Sequence, residues 1–220
     1  MFSMQFIPAA EAAYIGGVTE HQMNGVADAH LVPTACVKRA EDGWLFNRLG
    51  AALASVHFSV ETELDADERR YVVDQLFGRV VQLPEEERGL TVAALEQVDW
   101  KVECRSLVLD ALPYVRTVLE RVKEVDQAHA LVTTDPQTMG GPAVFAGTRV
   151  PLDFVLSSLA QGAAFERLKN AYSFLTVEHI QAARVYEAIH PGRSRPRRLS
   201  EVNPGLPHRM LRFINRMDAG

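Results

Sequence analysis

Between residues 113 and 125 apolar and polar side chains recur with a helical period. Val115, Val118, Leu119, Val122 and Val125 form one stripe, and Arg116, Glu120, Arg121 and Glu124 face away from it. Pro113 opens that helix, since a first-turn residue needs no N–H. The stripe suits either core packing or the seam of a dimer. Upstream, Pro8 reads as an N1-type residue starting a short helix through Ala9, Ala10, Glu11, Ala12 and Ala13, which Gly16-Gly17 breaks. Thr19 followed three residues later by Gln22 spells a capping box. Met23 and Val26 then lie on the inward face of a second helix ending near His30. Residues 44–49 read as a β-like stretch, followed by small residues through Val60. Asp65 with Glu68 repeats the capping signature and predicts a helix to about Val80. Within residues 90–109, the stretch 92–98 fits either element type. Val102, Cys104 and the run Leu107-Val108-Leu109 predict one strand over 102–110.

Residues 140–152 concentrate the turn chemistry of the chain: Gly-Gly-Pro-Ala-Val-Phe-Ala-Gly-Thr-Arg-Val-Pro-Leu. Gly140 and Gly141 permit positive φ, residues 143–145 favour extension, and Gly147 lets Thr148, Arg149 and Val150 run back antiparallel. The product is a tight hairpin presenting one cation. Pro151, lacking an N–H, stops the ladder and a helix follows over residues 152–160. A second helix is expected around 164–170, a break at 172–175, and a third helix capped by Thr176 and running to about Ile189. A hairpin with three short helices suggests a winged helix-turn-helix.

In this register, Gly-Gly-x-x-Val-x-x-Gly-Thr-Arg-Val-Pro, the Gly162 turn, Tyr-x-x-Leu-Thr-x-x-x-Ile at 172–180 and the segment 182–186 together resemble a bacterial antitoxin family. It is the family carrying domain of unknown function 433, and the resemblance covers about residues 130–190. Pro142 followed by Ala143 departs from the usual pattern after the paired glycines. Residues 8–33 look like the reading head of MerR-like or excisionase-like winged proteins, in which Ala13, Gly17, Val18 and Met23 are the compact residues of a close helix crossing. That likeness makes Thr19, Glu20, His21, Gln22 and Asn24 candidate DNA contacts, because Gln and Asn amides pair with adenine edges. Lys38, Arg39 and Arg48 are candidate phosphate contacts from the following wing. A second DNA or dimer site is expected at Thr148, Arg149, His179, Gln181 and Arg184.

The net charge of −5 hides a division along the chain. Residues 191–220 hold seven arginines against Glu201 and Asp218, a local +5, which leaves −10 on the other 190 residues. This Arg- and Pro-rich end reads as a segment that stays extended until it meets an acidic partner. The antitoxin resemblance implies such a partner, a PIN-like ribonuclease toxin whose carboxylate-lined site arginines can chelate. The expected toxin contacts are Arg193, Arg195, Arg197, Arg198, Arg209, Arg212 and Arg216, with Leu206, Met210, Phe213 and Ile214 as an apolar helix face. The resemblance also implies binding to operator DNA as a homodimer within a hetero-oligomer. A stand-alone transcription regulator whose tail grips DNA phosphates is the alternative.

The expected fold class is therefore α+β and mainly helical. Two small winged helix-turn-helix modules (1–88 and 129–190) are joined by a strand and linking helix (89–128), with an extended basic tail (191–220). No catalytic role, cofactor or metal is expected. The seven histidines are dispersed, Cys36 and Cys104 have no Cys-x-x-Cys partner, and the phosphate-loop and nucleophile-elbow spacings are missing. The acidic groups at Asp65, Asp67 and Glu68, and at Glu85, Glu86 and Glu87, fall at helix starts, where carboxylates favour the helix dipole. With no signal-peptide pattern and no run of ~18 apolar residues, a cytoplasmic protein without membrane contact is expected.

Overall fold

Two capping boxes organise the first half of the chain. Thr19 Oγ1 accepts from the N–H of Gln22 while the Gln22 side chain accepts from the N–H of Thr19, and Asp65 and Glu68 repeat the exchange. The computed structural model describes residues 5–84, 97–105, 107–134 and 141–190. It is α+β and mainly helical. A two-residue strand β1 (Ile7–Pro8) leads into α1 (Ala9–Gly16), with Pro8 standing just ahead of the helix rather than inside it. Then come α2 (Glu20–Asp28), β2 (Val37–Ala40), β3 (Gly43–Phe46), α3 (Arg48–Ser59) and α4 (Ala66–Val80). The strands form an antiparallel sheet in the order β1-β3-β2, with Ile7 and Val37 both opposite Phe46.

Helix α3 corrects the sequence expectation for residues 47–60. Asn47 caps it by accepting from the N–H of Gly50 at 2.8 Å, so Leu49 is helical rather than extended. Every residue from Leu49 to His57 is buried. A helix enclosed on all sides shows no polar stripe, so its period is invisible to a pattern search although alanine favours it.

The expected single strand over 102–110 is two strands, β4 (Lys101–Cys104) and β5 (Leu107–Asp110), paired antiparallel with Val102 opposite Leu109. The chain reverses at Arg105, which adopts φ 51° without a glycine to announce the turn. Helix α5 (Leu112–Leu131) follows, and Val115, Val118, Leu119, Val122 and Val125 are buried within the same chain, which settles their role as core packing. Each buried aliphatic side chain contributes about 1.5–3 kcal/mol of transfer free energy. The helix packs on α1 and α3, and on α8 (Val177–Ile189). One hydrophobic core therefore runs from Ile7 to Ile189.

Strand β6 (Val132–Thr134) pairs antiparallel with β7 (Ala143–Phe145), placing Val132 opposite Phe145. This changes the expected hairpin. Residues 148–150 return beside β7 but build no ladder: the Phe145 N–H reaches Val150 O at 3.1 Å, and Val144 bridges Pro151. Pro151 thus takes part in pairing through its neighbours instead of ending it. Gly147 takes φ 72° at the reversal, as the turn requires. Helices α6 (Leu152–Ala160) and α7 (Phe165–Ala171) precede α8, close to the expected positions.

Candidate nucleic-acid interface

Helix α2 carries the first group of candidate contacts, Glu20, His21, Gln22 and Asn24, behind the cap residue Thr19. Gly17, in the left-handed region at φ 66°, sends its N–H to Ala13 O and Tyr14 O, and Val18 N–H bonds Ala13 O at 3.0 Å. The turn between α1 and α2 is thereby fixed. Met23, Val26 and Ala27 bury the inner side of α2, while Glu20 and His21 are exposed and Asn24 is half-buried. Gln22 is already engaged: its Oε1 accepts from the Thr19 N–H at 2.8 Å and Oγ1 at 2.9 Å. A bidentate contact to adenine needs both atoms of the amide, so Gln22 would read a base only by releasing its cap. Asn24 has no such commitment among the described residues.

The β2–β3 hairpin is tied to the far end of α2. Trp44 Nε1 donates to Asp28 Oδ1 at 2.8 Å, and the Arg39 guanidinium stacks 4.8 Å from the centre of the Trp44 ring. Lys38 and Arg39 are exposed, but so are Glu41 and Asp42 at the hairpin tip. This surface is mixed rather than basic. Arg48 stands elsewhere, at the junction of α1, α3 and α5, where it pairs with Asp126. Buried Glu11 lies beside it, with Oε2 3.6 Å from His129 Nε2. Burial pushes the Glu11 carboxyl up, against the pull of His129 and Arg48.

The second candidate group divides four ways. Thr148 Oγ1 donates to Phe145 O at 2.9 Å and accepts from the Val150 N–H at 3.1 Å, so it shapes the turn. Arg149 is exposed, with no ion pair among the described residues. His179 packs 5.6 Å from the rings of both Phe145 and Phe174, with Nδ1 2.9 Å from Thr176 Oγ1. Gln181 and Arg184 line a cleft of about 200 Å³ whose other wall includes Tyr14, Glu124 and Gln127.

A polar clamp that the sequence did not reveal joins the two halves of the chain. Tyr14 OH donates to Glu124 at 2.8 Å, and the Arg121 guanidinium lies over Gly17, where a Cβ would come within 1.8 Å of Nη1. With Glu11–His129 and Arg48–Asp126, this face of α5 holds α1, its turn and the start of α3 in place. The one sequence clue is Glu11, a lone carboxylate inside an alanine-rich helix. Arg193, Arg195, Arg197, Arg198, Leu206, Arg209, Met210, Arg212, Phe213, Ile214 and Arg216 lie outside the described residues, as do Gly140 and Glu85, Glu86 and Glu87. Among the described residues no three His, Cys, Asp or Glu side chains gather into a metal site, and no helix is long and apolar enough to cross a membrane.

Residues 132–186, from β6 into α8, match the family described as "Protein of unknown function (DUF433)". Over 201 residues the chain is 31% identical to the "Uncharacterized protein y4eO" of Sinorhizobium fredii (strain NBRC 101917 / NGR234), an alignment covering 91% of this chain and 89% of that protein. No solved structure matches.

Proposed function

We infer, from the premise that the chain belongs to the family of the uncharacterized protein y4eO, that it is a DNA-binding antitoxin of a type II toxin-antitoxin pair. It binds the operator of its own operon through α2 and silences a PIN-like ribonuclease through its basic end. The observation that carries the reading is the α1–turn–α2 unit, locked by a left-handed glycine and a capping box and followed, after a short connection, by an antiparallel hairpin. That order of elements is the one in which winged helix-turn-helix proteins present a second helix to the major groove. On the same reading, β6, β7 and α6–α8 form a second winged module with Arg149 at its turn. The Arg-rich segment 191–220 has the charge to occupy a nuclease's carboxylate cavity.

Binding to the duplex upstream of the protein's own reading frame, compared with a scrambled duplex of equal length, tests the operator role. Asn24→Ala should weaken binding to the first much more than to the second. Equal losses on both duplexes would remove base reading by α2. The toxin arm is tested by co-expression with the product of the neighbouring reading frame: a chain truncated after His190 should no longer restore growth. Full rescue by the truncated chain would remove the tail from the mechanism.

One observation favours a second reading, a stand-alone regulator whose tail holds DNA phosphates. The α2–hairpin surface carries Glu20, Asp28, Glu41 and Asp42 against Lys38 and Arg39, so it supplies little phosphate affinity of its own. In that case tail truncation lowers the salt dependence of DNA binding by roughly one unit for each phosphate the tail had neutralised.

A further inference from the structure

We propose that the outer edge of β5 is the homodimer surface of this protein, pairing antiparallel with β5 of a second copy to give a continuous four-stranded sheet. This rests on strand edges alone and stands whether or not α2 binds DNA. A strand paired on one side directs half of its backbone N–H and C=O groups outward, and proteins normally blunt such an edge with charge, proline, brevity or cover.

The other described strands show those devices. β1 has two residues and ends in Pro8. β2 carries Lys38 and Arg39. β4 carries Lys101 and Glu103, and Arg79 donates to the carbonyl of Lys101 at 2.7 Å. β6 has three residues, two of them threonine, and the outer side of β7 meets Val150 and Pro151.

β5 has none of them before Asp110. Its first three residues are Leu107, Val108 and Leu109, and among the described residues nothing but β4 pairs with it. Leu107 is 43% exposed and Val108 57%, two of the five large apolar side chains left open to solvent among the described residues. Among the described residues, that is an uncovered apolar edge.

The sequence of the edge selects a second copy as its occupant. Leu-Val-Leu reads the same in both directions, so a two-fold axis at Val108 sets Val108 against its own copy and Leu107 against Leu109 of the second chain. Apolar pairs then meet on both faces of the sheet. Leucine therefore meets leucine and valine meets valine across the axis.

Sedimentation equilibrium of the full chain tests this. The native protein should be a dimer at micromolar concentration. Val108→Lys, which sets two ammonium groups opposite each other, should raise the dimer dissociation constant about tenfold or more. Its circular dichroism should be unchanged, because Val108 is not part of the core. Val108→Cys gives a second readout. Opposed Cβ atoms in an antiparallel pair lie about 4.5–5.5 Å apart, within a small shift of disulfide geometry. Mild oxidation should therefore link two chains through residue 108, whereas Val177→Cys, on an apolar residue just as exposed, should not link them. A monomeric native chain, a dimer indifferent to Val108→Lys, or failure of Val108→Cys to cross-link would each overturn the assignment.

Discussion

Replacing Gly16 by alanine should destabilise the protein even though alanine is the better helix former. Gly16 closes α1 directly against α3, and a Cβ built there would sit 2.9 Å from the carbonyl oxygen of Ala51. That oxygen belongs to the backbone of α3, so it cannot rotate away as a side-chain tip would. The whole helix pair must separate. Forcing a methyl group into a close-packed contact costs about 1–3 kcal/mol. Exchanging glycine for alanine in a helix returns up to about 1 kcal/mol. The expected net loss is roughly 1–2 kcal/mol. In a chain of this length each kcal/mol moves Tm by about 2–4 °C, so the midpoint should fall by roughly 2–8 °C. Gly25→Ala is the matched control. It lies within α2, where an added Cβ meets nothing within 4 Å, so the same exchange should raise the midpoint. Thermal melts followed by far-ultraviolet circular dichroism read both variants. A Gly16→Ala protein melting at or above the native midpoint would refute the close α1–α3 approach on which the placement of α2 depends.

His57, 3% exposed and with no hydrogen-bond partner for Nδ1 among the described residues, is pushed down to about 4 by burial and, secondly, by Arg69. Its folded value lies below the ordinary 6.5, so the unfolded chain takes up the proton first. The associated stability is complete above about 6.5 and is lost as pH falls toward 4, by about 2–3 kcal/mol. Denaturant titrations from pH 7 to 4.5 should show a shallower loss for His57→Leu than for the native chain, and equal losses would exclude His57 as the cause. Burial lifts the Cys36 thiol to about 12, only partly offset by Asn47. Iodoacetamide at pH 8 should leave Cys36 unmodified in the folded protein, and rapid labelling without unfolding would contradict that. Gly17→Ala should cost about 1–2 kcal/mol through its left-handed backbone alone, and it also displaces Arg121. Pairing it with Arg121→Ala should recover only the part owed to the collision, and complete recovery would mean that φ at residue 17 is not strained by a side chain.

What the sequence made legible was local. Thr19 with Gln22 and Asp65 with Glu68 announce helix starts because both partners of each bond lie within four residues. The stripe of α5 shows because one side of that helix meets solvent. The helix α3 stayed hidden because no side of it does, and the β4–β5 turn because Arg105 adopts a glycine-like φ. Pairing of β6 with β7 is non-local, and three residues of Val-Thr-Thr after a twenty-residue helix give little sign of it. The candidate interface follows the same rule. Exposure of Glu20 and His21 follows from the inward placement of Met23 and Val26 on the same helix. The diversion of Arg48 depends on Asp126, 78 residues away, and could not be read from either neighbourhood. Gln22 shows a different limit, since one spacing served both as a cap and as a reading side chain, and the geometry assigns it to the cap.

Entry of α2 into the major groove of the protein's own operator can be decided by hydroxyl-radical footprinting of the full chain on the duplex upstream of its reading frame. Two protected patches about one or more helical turns apart are expected, both erased when Asn24→Ala is combined with His21→Ala. Protection spread evenly along that duplex and unchanged by those two substitutions would rule out groove reading by α2.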